Sequence, residues 1–247
     1  MQGAAILINP LDMQSFISIL GFEVKYVDTG DSDAYTIIFG GKKLILLNQN
    51  IKSSSRINFT LAHELGHYFI PHHMEPLYAC NVNELISSAD LNSREEEREA
   101  DIFASELLLP NQLMANSAVD GFEDILNVAR KYSTSIPATA IRMIEHSNDN
   151  VCFVCCKNMK IEWFIASSIF TEYLTLKDII GSRISEFSLF NTCVEQKLSS
   201  LKGCVPAFTW IEGVDKDLYI DEEILYYPKY NTGYLLIKAD NITDLED

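Results

Sequence analysis

The sequence predicts an α+β fold in two parts. A mainly helical first part carrying a small antiparallel sheet spans residues 1–148, and a strand-rich α+β part spans 149–247. Three observations carry this. Helical patterns fill residues 56–70, 94–109, 120–132 and 136–146. Apolar and β-branched runs with hairpin turns dominate after residue 150. The polar "SNDN" at 147–150 separates the two regimes.

The elements follow in order. "PLDMQSFISIL" (10–20) reads as a short helix with Pro10 near its start and Gly21 as its stop. "FEVKYV" alternates like a strand, and "AYTIIF" and "LILLN" form a hairpin through Gly40-Gly41. Ser53, Ser54 and Ser55 offer caps for "RINFTLAHELGHYFI", which Pro71 ends. Residues 74–92 read as irregular or weakly helical. Ser93 then opens "REEEREADIFASELLL", which stops at Pro110. Asp120, with Glu123 three residues on, begins "DGFEDILNVARKY", and "IPATAIRMIEH" follows a "STS" turn. "VCFVCCK" and "KIEWFIA" read as a hairpin through Asn158-Met159. "VPAFTWI", "EEILYY" and "GYLLIKA" read as further strands.

Composition narrows the function classes. The chain has 247 residues, 47% hydrophobic and 22% charged, as in an ordinary globular protein. No apolar run reaches the roughly 20 residues that span a bilayer, so no membrane partner is expected. The start "MQGAAILINPLDMQ" has neither a basic n-region nor a long apolar core, and a cytoplasmic location is the expectation. A net charge of −16 repels phosphate and speaks against nucleic acid as a partner. Six cysteines without an export signal read as reduced thiols.

Chemistry concentrates in "FTLAHELGHYFIPHH" (59–73), which holds four of the five histidines. His63-Glu64-Leu65-Gly66-His67 fits H-E-x-x-H. Histidines four apart on a helix stand on one face, where both imidazoles can bind one cation. Glu64 beside them suits a general base, because a zinc ion brings the pKa of coordinated water to about 7. The apolar residues around them, from Ile57 to Phe69, predict a buried helix. Two histidines and a glutamate there are costly without partners, which a metal supplies.

A catalytic zinc commonly takes a third protein ligand. Glu95, Glu96, Glu97 and Glu99 are on offer. Ala100, Phe103, Ala104, Leu107 and Leu108 define a buried face, which Glu96 and Glu97 flank while Glu99 points away. Ser93 and Glu96 form a capping box. Glu97 is therefore the favoured ligand, with Glu96 and Glu99 as alternatives, and Asp101 one turn on can accept the outer N–H of a ligating histidine. Two imidazoles and a carboxylate suit zinc, with manganese as the alternative.

"RINFTLAHELGH" followed by "EREADIFASELLLP" resembles the ImmA/IrrE family of metallopeptidases. The pattern F-T-x-A-H-E-x-x-H, then E-x-x-A-(N/D)-x-F-A-x-x-L-L-x-P, is matched from Phe59 to Pro110. The resemblance covers about residues 5–145. It implies a zinc-dependent endopeptidase with a regulatory role, cleaving a helix-turn-helix repressor-type protein. Two other roles are open. One is a non-proteolytic binding module, contacting protein or DNA, on a metallopeptidase scaffold. The other is a toxin–antitoxin component.

Other features read more plainly. His72 and His73 leave the helix axis after Pro71 and are candidates to line the cleft or stabilise an oxyanion. "DTG" (28–30) stands once in an acidic turn and reads as turn chemistry. The C-x-x-C of "CFVCC" lacks a second pair and sits in a strand, so buried thiols are expected. Residues 125–145 resemble a helix-turn-helix but carry only Arg130, Lys131 and Arg142 as basic residues, and read as two packed helices. "LILLN" (44–48) is expected to be an edge strand beside the cleft, open to an extended peptide.

Overall fold

The structure, a computed structural model, describes residues 11–73, 92–115, 118–176 and 180–239, with side chains from residue 95 in the segment that starts at 92. Contacts divide the chain into two compact units, Met1–Pro110 with Arg130–Ser135, and Asn111–Ala129 with Ile136–Asp247. Residues 111–129 and 136–147 thus group with the strand-rich unit, whereas the sequence places them ahead of a boundary at 148. Among the described residues no helix is long and apolar enough to cross a membrane.

In the first unit, α1 (Met13–Ile19) is capped by the Asp12 carboxylate, which accepts the Gln14 and Ser15 N–H groups. Pro10 lies outside the described residues. Gly21, at φ +80, turns the chain into β1 (Phe22–Val27). β2 (Ala34–Phe39) and β3 (Lys42–Asn48) form the hairpin, with Gly40 and Gly41 both at positive φ as a two-residue turn requires.

The sheet order is β1-β3-β2. It is mixed rather than antiparallel throughout, because β1 runs parallel to β3. The central strand is β3, which corrects the expectation that 44–48 is an edge. β3 is paired on both sides, and its Ile45 and Leu47 are fully buried, as suits the middle of a sheet. β1 and β2 are the edges, and β2 is the one whose Ala34, Tyr35 and Thr36 line the cleft.

α2 (Ser54–Phe69) lays Leu61, Ala62 and Leu65 into a core shared with Met13, Ile17, Ile45 and Leu47. Ile70 is extended, as a residue before proline prefers, and Pro71–His73 forms a single 3₁₀ turn. α3 (Asn92–Leu108) crosses α2 at Gly66. A Cβ at Gly66 would lie 2.9 Å from the Ala100 Cα, so the close crossing depends on this glycine.

The second unit begins with α4 (Asn111–Met114), continues into α5 (Phe122–Tyr132), whose last residues belong to the first unit, and resumes with α6 (Ile136–Glu145). Asp124 closes the start of α5 by accepting the Asp120 and Gly121 N–H groups. β4 (Val151–Lys157) and β5 (Lys160–Ala166) form a hairpin whose turn residues Asn158 and Met159 are both left-handed.

α7 (Ser168–Tyr173), α8 (Leu189–Gln196), β6 (Ser200–Pro206), β7 (Tyr219–Tyr227) and β8 (Thr232–Lys238) complete an antiparallel sheet of order β5-β4-β8-β7-β6. The expected strand at 205–211 divides: Pro206 ends β6, and Ala207–Thr209 makes a 3₁₀ turn. Cys152, Val154 and Cys156 share one face with Phe170, Phe190 and Trp210, while Phe153 points the other way to the Phe122 ring, 6.0 Å off. Cys152, Cys155, Cys156 and Cys193 are buried free thiols, and burial pushes the Cys156 thiol up to about 12.

One carboxylate sits in this core. Glu222 accepts the Ser188 hydroxyl at 2.8 Å, the Leu189 N–H at 2.7 Å and the Trp210 indole N–H at 2.9 Å. Three donors satisfy a group that burial alone pushes above its ordinary pKa.

Candidate metal centre

The helical period puts His63 and His67 one turn apart, and their Nε2 atoms approach to 3.0 Å. The Gly66–Ala100 crossing brings α3 close enough for Glu97 to complete a triangle. Its carboxylate oxygens lie 3.1 Å from His63 Nε2 and 3.4 Å from His67 Nε2. Glu96 is half-buried and outside this triangle, and Glu99 is on the far side of His67. The side chain of Ser93, the other half of the expected capping box, lies outside the described residues.

Two N donors and one O donor, mutually 3.0–3.4 Å apart, match a tetrahedral ion. With metal–nitrogen bonds of about 2.0–2.1 Å, ligand atoms stand about 3.3 Å apart. The ring orientations agree with this. Asp101 Oδ1 lies 2.9 Å from His63 Nδ1, and a carboxylate can only accept. With a cation in the triangle, His63 would carry its proton on Nδ1, toward Asp101, and turn its Nε2 lone pair to the ion. Burial and the neighbouring His63 hold the His67 pKa below its ordinary value, which favours the neutral imidazole that binds metals. The residues present fit a divalent cation.

Glu64 faces the same cleft, about 500 Å³ in volume, which is lined by Ser32–Thr36 and, from the two helices, by Phe59, Thr60, His63, Glu64, His67, Glu97 and Asp101. Thr36 on β2 donates its hydroxyl to Glu64 Oε2 at 2.5 Å. Burial raises the Glu64 pKa, and the Thr36 bond and His63 offset part of that, so the carboxyl stays above its ordinary value. A base poised upward holds its proton more firmly once it has taken it. At the end of the cleft, Asp33 is clamped by Arg56 through two bonds of 2.7 and 2.8 Å. The Asn48 amide donates to the Gly30 and Ser32 carbonyls, fixing the 28–33 loop.

His72 and His73, expected as cleft or oxyanion candidates, are not among the residues lining the cleft. The 3₁₀ turn after Pro71 carries both behind His67. His72 Nε2 and His73 Nε2 lie 2.6 and 2.9 Å from Glu99 Oε2, and His73 Nδ1 lies 3.1 Å from His67 Nδ1. Sequence reasoning missed Thr36, Gly66 and the His73–Glu99 pair. Only Gly66 carried a local signal, a glycine inside a helical pattern, which marks close approach of another backbone.

A family model described as Peptidase_M78, IrrE N-terminal-like domain, matches residues 18–143, just over half of the 247-residue chain. The chain belongs to the Peptidase_M78 family. The M78 match contains every residue of the candidate centre and supports a metallopeptidase-like or regulatory role. A solved transcriptional regulator from Mycobacterium tuberculosis is similar to this M78 chain in fold. Its TM-score is 0.51 and its identity 12%, over 92% of this chain and 78% of that one. No curated protein matches the chain.

Proposed function

We propose that this M78 protein is a zinc-dependent endopeptidase with a regulatory role, and that its substrate is a helix-turn-helix repressor-type protein. The observation that carries the reading is Glu64, held by Thr36 in the cleft beside the His63, His67 and Glu97 donors. His63, His67 and Glu97 hold the ion and Asp101 orients His63. When bound, the ion supplies Lewis acidity for a carbonyl and for water. Glu64 takes a proton from water as it attacks the scissile carbonyl and passes that proton to the leaving amine.

The free edge of β2 supports an extended substrate. The Asn48 N–H donates to the Asp33 carbonyl at 2.8 Å, and 33 and 48 are opposite in the β2–β3 register. Pairs 35/46, 37/44 and 39/42 are then the bonded ones, and Ala34, Thr36 and Ile38 turn their main-chain groups outward. A peptide can add there as a strand. The substrate class rests on the resemblance and on family membership.

Glu64→Gln tests the proposal. Zinc content measured by elemental analysis should stay at the wild-type level. Cleavage of a helix-turn-helix repressor substrate should fall by about 10²–10⁴. Survival of the biological output in the glutamine variant would favour the non-proteolytic binding module instead.

A further inference from the structure

We infer that His73 and Glu99 are positioning residues for His67, a carboxylate–imidazole relay that keeps its Nε2 lone pair turned to the metal site. This rests on the divalent site proposed above and adds to it.

Proton placement follows from the far end of the chain of contacts. Glu99 Oε2 lies 2.9 Å from His73 Nε2, and a carboxylate only accepts, so His73 carries its proton on Nε2. A neutral ring then has a lone pair on Nδ1. That atom lies 3.1 Å from His67 Nδ1, which must be the donor. With its proton on Nδ1, His67 presents a bare Nε2 to His63 and Glu97. Reversing the order would place a proton on His67 Nε2, where the ion should sit.

Burial makes the arrangement compulsory. The His73 side chain has no exposed surface, so each ring nitrogen needs a protein partner, and these two are the ones within reach among the described residues. The turn Pro71–His73 produces the geometry by setting the two histidine rings 88° apart around Glu99, with His72 holding the same oxygen at 2.6 Å from the solvent side. The two ligating histidines are thus steadied differently: His63 by a carboxylate directly, His67 by a carboxylate one imidazole away.

His72, His73 and Glu99 also converge closely enough to hold an ion of their own. Such an ion on His73 Nε2 would drive the ring proton to Nδ1, against the Nδ1–H of His67. The relay therefore excludes a second ion while the first is bound.

The test uses the full chain with ¹⁵N-labelled histidine. In the ion-free wild type, His67 should show the Nδ1–H tautomer. His73→Phe, which keeps the buried volume, should give a mixture of tautomers, as should Glu99→Ala, and Glu99→Gln, which keeps an acceptor, should retain the wild-type signal. Zinc affinity by chelator competition should fall about 10–100-fold in His73→Phe and Glu99→Ala. Far-UV circular dichroism checks that each variant folds. An unchanged His67 tautomer and unchanged affinity in both variants would overturn the relay. So would two zinc equivalents in the wild type with the second lost in His72→Ala and Glu99→Ala. A wild type that binds no zinc but shows the relay tautomers would reject the metal reading alone.

Discussion

At the scale of single residues, the site depends on which atom of each side chain holds a proton, and Thr36 tests this most directly. Its hydroxyl bond lowers the Glu64 pKa against the upward push of burial. Thr36→Val keeps the shape and removes the bond, so desolvation acts unopposed and the Glu64 pKa rises further. The base must be ionised to work, so the acidic limb of kcat/KM against pH should move to higher pH, with the alkaline plateau nearly kept. An unmoved limb in the variant would show that the titrating group is not Glu64. The grouping of His63, Glu64, His67 and Glu97 was legible because side chains that share a helix face repeat with the helical period, and that period is local. Thr36 was not legible, because it meets Glu64 across 28 residues and only the pairing of a strand with a helix brings them together. His73 and Glu99 escaped for a related reason. The helical wheel turns Glu99 away from the apolar face, but the 3₁₀ turn after Pro71 brings two histidines around to meet it.

At the scale of elements, two junctions position the chemistry, and one substitution probes each. The α2–α3 crossing depends on Gly66. A methyl there meets the Ala100 backbone at 2.9 Å, and backbone cannot swing aside as a long side chain can. Gly66→Ala should destabilise the fold, because overpacking of about 1–3 kcal/mol outweighs the gain of up to about 1 kcal/mol from helix propensity. Because Glu97 stands on α3 one turn before Ala100, zinc affinity should fall as well. Wild-type affinity and thermal midpoint in that variant would mean the crossing is slack. The β2 edge is the second junction. Ile38 turns its N–H outward, away from β3, and lies outside the catalytic group. Ile38→Pro removes that donor without breaking the ladder. It should raise KM for a peptide substrate while zinc content and kcat hold, and unchanged KM would count against strand addition. The hairpins and long helices were legible from alternation and caps, since Gly40-Gly41 and the apolar faces are local signals. The order of strands was not. Strand 44–48 is the most buried of its sheet, so it lies in the middle, and alternation says which face a residue takes but not which neighbours its strand has.

At the scale of the whole molecule, charge and cleft point to the same class of partner. The chain carries 35 acidic and 19 basic side chains, a net charge of −16. Among the described residues no lysine or arginine lines the cleft, whereas Asp33, Glu64, Glu97 and Asp101 do, with Asp33 paired to Arg56. A bound divalent ion cancels only part of this, so the field at the cleft mouth should draw in basic segments, such as the DNA-contacting helix of a repressor. Two fluorogenic peptides with one shared cleavage core, flanked by lysines in one and by glutamates in the other, make this measurable. At low salt the lysine-flanked peptide should show the higher kcat/KM, through association rather than through kcat. Ionic strength should erase the difference, because the Debye length shrinks from about 10 Å at 0.1 M to about 3 Å at 1 M. A preference that persists at high salt would place its origin in direct side-chain contacts within the cleft, and an inverted preference at low salt would show that the acidic surface does not govern approach to this site.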